Sequence, residues 1–218
     1  MSPVRVEIWS DVVCPWCFIG KRRFDTAITE LRNRGVVDHI EVIYKSFQLD
    51  PTAPVGKPMP VRDAYAKKFG GLARAQQILD HVTKTAAQDG IAFNMDIAVR
   101  ANTVLAHRAM HWVLETHGAL AQASMKEMLL AAYFTDGKDI GDTEVVLACA
   151  TACGYDSSIL RTWLGNGGGE TNVARDIEGA HAREITAVPS FVIDDRFIIP
   201  GAQDVEVFIR ALQKALAT

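Results

Sequence analysis

Apolar and polar residues alternate at the start of the chain, and a helical period follows. Val4, Val6 and Ile8 stand at every second position with charged residues between them, which is the period of two of a β-strand. The next apolar residues fall on one face of a helix: Phe18, Phe24, Ala27, Ile28 and Leu31. The pattern therefore predicts a strand that runs directly into a helix, which ends at Gly35.

The rest of the chain predicts a long run of helices between segments of β-structure. β-Branched and aromatic residues over 40–47 indicate a second strand, and a proline-rich loop follows over 51–60. Residues from about 61 to 165 predict successive helices, with these stops and caps: Gly70-Gly71, Gly90, Gly118, Gly137, Asp142, Gly154 and Asp156. Three predicted elements complete the chain: a helix over about 168–186, a hairpin of strands 190–193 and 197–199, and a helix over 203–216.

Cys14 and Cys17, separated by Pro15 and Trp16, stand where the first strand meets the first helix. Proline suits the first turn of a helix, because its missing N–H would be unpaired there anyway. Cys14 is therefore predicted at a helix N-terminus, where free N–H groups and the helix dipole favour a thiolate. Cys17 lies one turn deeper, near enough to close a disulfide. We expect Cys14 to be the nucleophile and Cys17 the resolving thiol of a redox pair.

Two other roles fit the same cysteine spacing. A zinc site needs four ligands and usually a second close pair, whereas the remaining cysteines, Cys149 and Cys153, are separated by three residues on a predicted helix. Simple packing of two small side chains is the other alternative. The position of Cys14 and Cys17 between a strand and a helix favours the redox role over both.

Val188 and Pro189 stand directly before the predicted strand 190–193. A proline at a strand entrance is an ordinary strand-start residue. A cis-proline, which is usually a functional feature, also occurs in such places. The residues alone leave both alternatives open.

Several blocks of the sequence together resemble the thioredoxin superfamily, and within it the FrnE-type subgroup of DsbA-like oxidoreductases. They span roughly residues 5 to 213 and are Ser10-Asp11 with Cys14-Pro15-Trp16-Cys17-Phe18-Ile19-Gly20-Lys21, Phe47-Gln48-Leu49-Asp50-Pro51, Asn102-Thr103 with Ala106-His107-Arg108, Tyr133-Phe134 before Asp139-Ile140, Val188-Pro189-Ser190-Phe191-Val192-Ile193, and Gly201-Ala202-Gln203. The subgroup is related to 2-hydroxychromene-2-carboxylate isomerases and kappa-class glutathione transferases, which use glutathione. Those relatives carry serine where this chain has Cys14, so the paired thiols favour disulfide chemistry.

The resemblance implies an α/β architecture: a thioredoxin fold with a large all-helical insertion domain. Residues 1–58 and 166–218 are then the thioredoxin-like domain, and 59–165 are the helical insertion over the active-site face. The resemblance also implies that Pro189 is a cis-proline packed against the motif and that the backbone of Val188 bonds a bound peptide. The implied activity is thiol–disulfide oxidoreduction through a mixed disulfide at Cys14.

Asn102 and His107 belong to one of the resembling blocks, which implies that both face the groove of the cysteine motif. A histidine there stabilises a thiolate or relays a proton. A helix cap explains Asn102 equally well, and a hydrogen-bonded core position explains His107. Neither alternative is excluded by the residues themselves.

Cys149 and Cys153 are a candidate second redox pair. On a regular helix their β-carbons lie about 5–6 Å apart, whereas a disulfide needs about 3.8 Å. Fraying of the helix near Gly154 would bring them together, and some family members carry a second pair of cysteines. Two core residues on an apolar face is the plainer alternative, and a metal site is a third.

The position of thioredoxin's buried acid is apolar in this chain. Thioredoxin carries that acid six residues before its first cysteine, where it assists proton removal from the resolving thiol. Ile8 stands at this position here. Glu7 should point to the opposite face of the strand and Asp11 lies in the loop, so we expect water or another base to take the proton of Cys17.

Composition and charge narrow the partners. The chain has 218 residues, 49% of them hydrophobic, and a formal net charge of −3, so it can bury a large core and is poorly suited to nucleic acid or an anionic membrane. No apolar run reaches the length of a membrane span. Residues 1–5 lead into the first strand without a signal-peptide pattern. From these features we expect a cytoplasmic protein whose thiols are mostly reduced.

The predicted reaction needs no metal or organic cofactor, and its partners are thiols and disulfides of proteins or small molecules, with glutathione as a candidate co-substrate. A glutathione-dependent isomerase or transferase that uses the same groove is the first rival. A chaperone-like binder that uses the apolar surface near Trp16 and Val188 is the second. A homodimer is compatible with the sequence, which does not decide the oligomeric state or the direction of the reaction.

Overall fold

The computed structural model describes residues 4–36 and 40–217. In chain order its elements are β1 (Val4–Ser10), α1 (Pro15–Asn33), β2 (Ile40–Ser46), β3 (Met59–Pro60), α2 (Val61–Phe69), α3 (Leu72–Gln88), β4 (Val99–Arg100), α4 (Val104–His117), α5 (Ala119–Phe134), α6 (Thr143–Ala152), α7 (Ser157–Gly165), α8 (Glu170–Ala182), β5 (Ser190–Ile193), β6 (Phe197–Pro200) and α9 (Val205–Leu216). The N-terminal residues 1–3, on which the expectation of no leader depends, lie outside the described residues.

A mixed sheet in the order β2-β1-β5-β6 forms the centre of the molecule. β1 runs parallel to β2 and antiparallel to β5, and β5 and β6 form a hairpin. A parallel pair needs a crossover connection, which α1 supplies. β1 is central in the sheet, and both its Ile8 and its Trp9 side chains, on opposite faces, are buried.

Helices cover both faces of the sheet. Ile8 lies opposite Phe191 on β5. On this face Phe191 packs at tilted angles against Phe24 of α1 and Phe208 of α9, at ring-centroid distances of 5.1 and 4.6 Å. On the other face the Trp9 indole donates a hydrogen bond to a backbone carbonyl of α8 at 2.8 Å. Helices lie on both faces of the sheet, and helices α2 to α7 stand between β2 and β5 in the chain. This arrangement confirms the predicted α/β class with a helical insertion.

The insertion is joined to the sheet through the outer edge of β2. The side-chain amide of Gln122 on α5 accepts from the Tyr44 N–H at 2.8 Å and donates to the Tyr44 carbonyl at 2.9 Å. The Asp176 carboxylate of α8 accepts from the next outward N–H, that of Ser46, at 2.8 Å. Side chains thereby satisfy the edge of a buried strand, which would otherwise leave backbone groups unpaired.

Asp176 is also the centre of a buried polar network. One of its oxygens accepts from His111 Nε2 of α4 at 2.8 Å, and the other lies 2.5 Å from Lys45 Nζ of β2. Burial raises the pKa of Asp176, but the hydrogen bonds from His111 and Lys45 outweigh it, so the pKa is lowered overall. The network therefore holds an ionised carboxylate where β2, α4 and α8 meet.

Several predicted boundaries are confirmed and others shift. Asp142 and Asp156 cap α6 and α7 by accepting backbone N–H bonds at 2.8 and 2.9 Å. The helix predicted over 168–186 is shorter, because the positive φ of Glu184 and the bond from Ile185 N–H to the Ala180 carbonyl end it. β2 ends at Ser46, before the predicted limit of 47.

Two short strands within the predicted proline loop and the helical run were missed. β3 and β4 pair over two residues each, which is too short a segment to produce a period of two in the sequence. The division into domains at 58/59 and 165/166 stays a prediction.

Candidate active site

The loop before the cysteines is held by a buried carboxylate. Asp11 is 0% exposed, and its two oxygens accept from the N–H groups of Val12 and Leu49, each at 2.8 Å. The first contact shapes the turn after β1, and the second ties that turn to the segment after β2. Asp11 therefore fixes where the cysteine motif enters α1.

Cys14 and Cys17 occupy the first turn of α1. Cys14 is the residue at the N-terminal boundary of the helix, Pro15 is at its first position, and the Cys14 carbonyl accepts from the Cys17 N–H at 3.0 Å. Cys14 Sγ donates to the Val188 carbonyl at 3.5 Å. Both cysteines are free thiols, and both are buried.

The two neighbouring thiols interact, and this interaction moves their pKa values apart. The hydrogen bond with Cys17, together with burial, raises the pKa of Cys14. Burial also raises the pKa of Cys17, but the hydrogen bond from Cys14 and the charge of Lys126 outweigh it and lower that pKa overall. These opposite shifts belong to the pair, and the Cys14 thiolate expected from the helix N-terminus stays a prediction.

A cavity of about 620 Å³ opens beside the outer cysteine. Cys14 and Trp16 line it on one side, Val188 lines it on another, and Tyr65 of α2 and Tyr133 of α5 belong to the helical wall. Cys17 does not line it. Access thus distinguishes the two thiols: a molecule in the active-site cavity meets Cys14 and not Cys17.

The peptide bond between Val188 and Pro189 is cis, as the resemblance implied. Pro189 packs against α1 at Gly20, where an added β-carbon would lie 3.0 Å from Pro189 Cγ. The lack of a side chain at Gly20 therefore lets the proline loop lie close to the helix that carries the cysteines.

Asn102 and His107 do not line the active-site cavity. Asn102 donates to the Ala53 carbonyl at 2.7 Å and accepts from the Val104 N–H at 3.1 Å, which holds the loop before α4. His107 is buried, and its Nε2 lies 3.2 Å from Asp11 and 2.9 Å from the Phe47 carbonyl. Both partners of Nε2 accept hydrogen bonds, so this nitrogen carries the proton. His107 therefore holds the loop before the motif in place and does not face the groove.

Three buried polar groups near the motif were not predicted from the sequence. Ser10 Oγ, Tyr44 Oη and Lys126 Nζ make no hydrogen bond within residues 4–36 and 40–217. The only signal in the sequence is that Lys126 interrupts the apolar face of α5 between Met125 and Leu129. A charged residue on a buried helix face is a departure from amphipathic spacing.

Cys149 and Cys153 lie on and after α6, away from the lining of the active-site cavity. Both are thiols, and the Cys153 N–H bonds the Cys149 carbonyl at 3.1 Å, so the helical backbone between them is intact. Burial raises the pKa of Cys149 to about 11 and that of Cys153 in the same direction. Both shifts lower the reactivity of the thiols.

Neither a metal site nor a membrane-spanning helix is found in the described part of the chain. None of its groups of His, Cys, Asp and Glu is arranged to hold a metal ion. None of its helices is both long enough and apolar enough to cross a membrane.

A cysteine pair at the start of α1, beside a cis-proline before β5 and on a mixed four-stranded sheet, defines a thioredoxin-fold protein of the kind that carries a CxxC motif. Residues 5–213 match the model of the DSBA-like thioredoxin domain. The chain belongs to this family.

Known proteins of similar sequence and structure agree with that membership. The chain is 29% identical over 216 residues, 96% of each chain, to the uncharacterized protein YwbO of Bacillus subtilis (strain 168). It is 31% identical to the probable DsbA oxidoreductase SCO1869 of Streptomyces coelicolor, with a TM-score of 0.88 over 98% of this chain and 90% of that one. At 15% identity it shares the fold of the cytosolic disulfide reductase DsbM of Pseudomonas aeruginosa, with a TM-score of 0.69 over 98% of each chain.

Proposed function

We propose that this protein is a thiol–disulfide oxidoreductase in which Cys14 is the nucleophile and Cys17 the resolving thiol. The observation that carries the proposal is the unequal access of the two sulfurs: Cys14 lines the active-site cavity and Cys17 does not. Family membership supports the reaction class, since the similar protein of S. coelicolor is described as a probable DsbA oxidoreductase.

The exchange runs in two steps. The Cys14 thiolate attacks one sulfur of a substrate disulfide, which forms a mixed disulfide and releases the other substrate sulfur as a thiolate. The Cys17 thiolate then attacks Cys14 Sγ, the bond from Cys14 to the substrate breaks, and a Cys14–Cys17 disulfide forms. Two electrons pass from the protein to the substrate, and the reverse sequence oxidises a substrate dithiol.

The groups around the cavity have supporting roles in this proposal. Trp16 gives apolar contact to the substrate next to the nucleophile, and Pro15 sets the start of the helix. The Val188 carbonyl, which accepts from Cys14 in the dithiol state, is free to bond a peptide N–H when Cys14 is in a mixed disulfide.

Redox titration against a glutathione buffer, with alkylation to count free thiols, tests the proposal. We expect one cooperative two-electron transition that Cys14→Ser and Cys17→Ser both abolish. In Cys17→Ser a disulfide substrate should remain trapped on Cys14, since the resolving thiol is gone. The matched control is Cys149→Ser with Cys153→Ser, which should retain the transition, because neither residue lines the cavity.

Three other results would contradict the proposal. Full disulfide-reductase activity in Cys14→Ser would refute the assignment of the nucleophile. Absence of any Cys14–Cys17 disulfide, with binding of glutathione retained in Cys17→Ser, would favour the glutathione-dependent isomerase or transferase. Client binding that survives the loss of both cysteines would favour the chaperone-like binder.

We also propose glutathione as a co-substrate and the cytosol as the compartment. Lys67 and Lys68 line the cavity and suit the carboxylates of glutathione. DsbM, whose fold this chain shares, is a cytosolic disulfide reductase that has been solved with glutathione. Equilibrium dialysis with reduced glutathione tests the first point, with loss of binding expected in the Lys67→Gln, Lys68→Gln double variant.

A further inference from the structure

Lys126 is a buried lysine that the two-step exchange does not yet use. Its side chain is 0% exposed, and its Nζ makes no hydrogen bond to any residue in the described part of the chain. An ammonium removed from water in this way is strongly unfavourable unless a negative charge lies close to it. The position of Lys126 therefore calls for an anionic neighbour or for a neutral amine.

Contacts of the neighbouring residues locate Lys126 on the inner side of the cysteine motif. Gln122, one turn earlier on α5, bonds the backbone of Tyr44, and Lys126 Nζ lies 5.8 Å from the centre of the Tyr44 ring. Glu127, the next residue, pairs at 2.9 Å with Lys21 Nζ, one turn after Cys17 on α1. Lys126 thus lies between β2 and the first turns of α1.

The charged and titratable groups that face Lys126 come from three elements. Lys126 interacts electrostatically with Cys17 and Lys21 of α1, with Cys14 at the boundary of that helix and with Asp11 of the loop after β1, and it lies over the Tyr44 ring of β2. Burial has the largest effect on Lys126 and lowers its pKa overall; among the facing groups, Cys17 exerts the largest opposing electrostatic effect.

Cys17 is the facing group best placed to supply the anion. The Asp11 oxygens are already bonded to backbone N–H groups and to His107. Lys21, the other cation, is paired with Asp25 at 2.7 Å and with Glu127. These bonds hold Asp11 in the loop, and it takes no part in the exchange, so the Cys17 thiolate is the reacting charge that Lys126 can balance.

We propose that the Lys126 ammonium balances the negative charge of the Cys17 thiolate when that sulfur attacks the mixed disulfide. The inference rests on the proposed function. Lys126 touches no substrate atom and acts through Cys17, so it is a positioning residue. It takes the place of the buried acid of thioredoxin, at whose position this chain has Ile8.

The proton and the electrons balance in this step. The Cys17 thiol loses its proton to solvent, and the Lys126 ammonium balances the thiolate that forms. The thiolate attacks Cys14 Sγ, a sulfur–sulfur bond forms between the cysteines, and the substrate sulfur leaves with the electron pair of the broken bond. The departing thiolate takes a proton from solvent, so the protons balance over the exchange.

The test is Lys126→Met, which keeps the length and apolar stem of the side chain and removes the amine. In the dithiol state the ultraviolet absorbance over a pH series reports the Cys17 thiolate. We expect this thiolate to be about tenfold less populated at neutral pH, an effect typical of one charge lost nearby. The Cys14–Cys17 disulfide should become about tenfold more favoured against glutathione, which is about 30 mV more negative in potential.

Lys21→Met is the matched control, because it removes a second buried lysine on the same side of the motif whose charge is already paired. It should lower stability but change the potential and the thiolate titration less than about twofold. An unchanged potential and thiolate titration in Lys126→Met would overturn the inference while leaving the proposed function intact.

The remaining outcomes are decisive as well. If the wild-type protein forms no Cys14–Cys17 disulfide, the proposed function fails, and the thiolate titration alone still decides the role of Lys126. If Lys126→Met does not fold, Cys14→Ser isolates Cys17 with Lys126 intact. Titration of Cys17 below the ordinary thiol range then supports the inference, and titration at or above that range refutes it.

Discussion

Replacing Asp176 by asparagine tests whether the buried network joins the sheet to the helical layer. Asparagine has nearly the same shape but has one acceptor oxygen and one NH₂ donor. In the native protein one carboxylate oxygen serves Ser46 N–H and His111, and the other serves Lys45. In Asp176→Asn the NH₂ must face one of these donors, so at least one contact becomes repulsive.

The size of the effect follows from burial. Asp176 is 2% exposed, so solvent cannot replace the lost acceptor. Hydrogen bonds to charged groups are each worth about 1.5–3 kcal/mol, and removing one partner of a buried charge pair costs about 3–5 kcal/mol. We expect Asp176→Asn to lower the free energy of unfolding by about 3–5 kcal/mol at neutral pH.

The difference in unfolding free energy between wild type and Asp176→Asn should also depend on pH in a defined direction. Burial opposes ionisation of Asp176, but the bonds from His111 and Lys45 outweigh it and hold its pKa below the ordinary 3.8. A carboxyl with a lowered pKa in the folded state stabilises the protein above its unfolded pKa, and the contribution is lost as pH falls through the folded pKa. The gap between wild type and Asp176→Asn should therefore be constant from about pH 7 to about pH 5 and narrow below about pH 4.

Urea denaturation over a pH series measures both effects. Glu178→Gln is the control, because Glu178 lies on the exposed side of the same helix, where substitutions usually change stability by less than about 0.5 kcal/mol. A loss below about 1 kcal/mol in Asp176→Asn, or a gap that does not narrow at low pH, would refute the role given to the ionised carboxylate.

Two further substitutions test contacts that hold the site. Gln122→Leu leaves the N–H and carbonyl of Tyr44 unpaired, so urea denaturation should show a loss of about 2–4 kcal/mol; a neutral result would contradict the edge contact. Gly20→Ala gains up to about 1 kcal/mol of helix propensity, but its β-carbon, 3.0 Å from Pro189 Cγ, adds an overpacking cost of about 1–3 kcal/mol. We expect a net loss of stability and slower reaction with a disulfide reagent, whereas wild-type values for both would exclude a close contact at the proline loop.

Local chemistry made the motif predictable from the sequence. Pro15 at the first helical position and the change of period after Ile8 place Cys14 at a helix start without knowledge of any other part of the chain. The caps at Asp142 and Asp156 are similarly local, because each carboxylate bonds an N–H two residues ahead. Interactions of this range are decided by neighbours in the sequence.

His107 and Lys126 show why the rest of the site was not predictable. His107 lies 96 positions after Asp11, and their contact depends on how α4 packs against the loop after β1. Lys126 interrupts an apolar face in the sequence of α5, but only the packing of α5 between β2 and α1 shows that this lysine is buried. The roles of such residues depend on contacts between distant segments of the chain, which periodicity does not encode.

The sequence by itself determined the class of fold and the positions of the cysteine pair and of the proline beside it, since each has a signature within a few neighbouring residues or in a family resemblance. Only the tertiary structure decided which thiol meets the cavity and which charges surround the other one. Periodicity records how each segment divides between core and solvent, whereas the pKa of a buried thiol depends on groups brought together from distant segments.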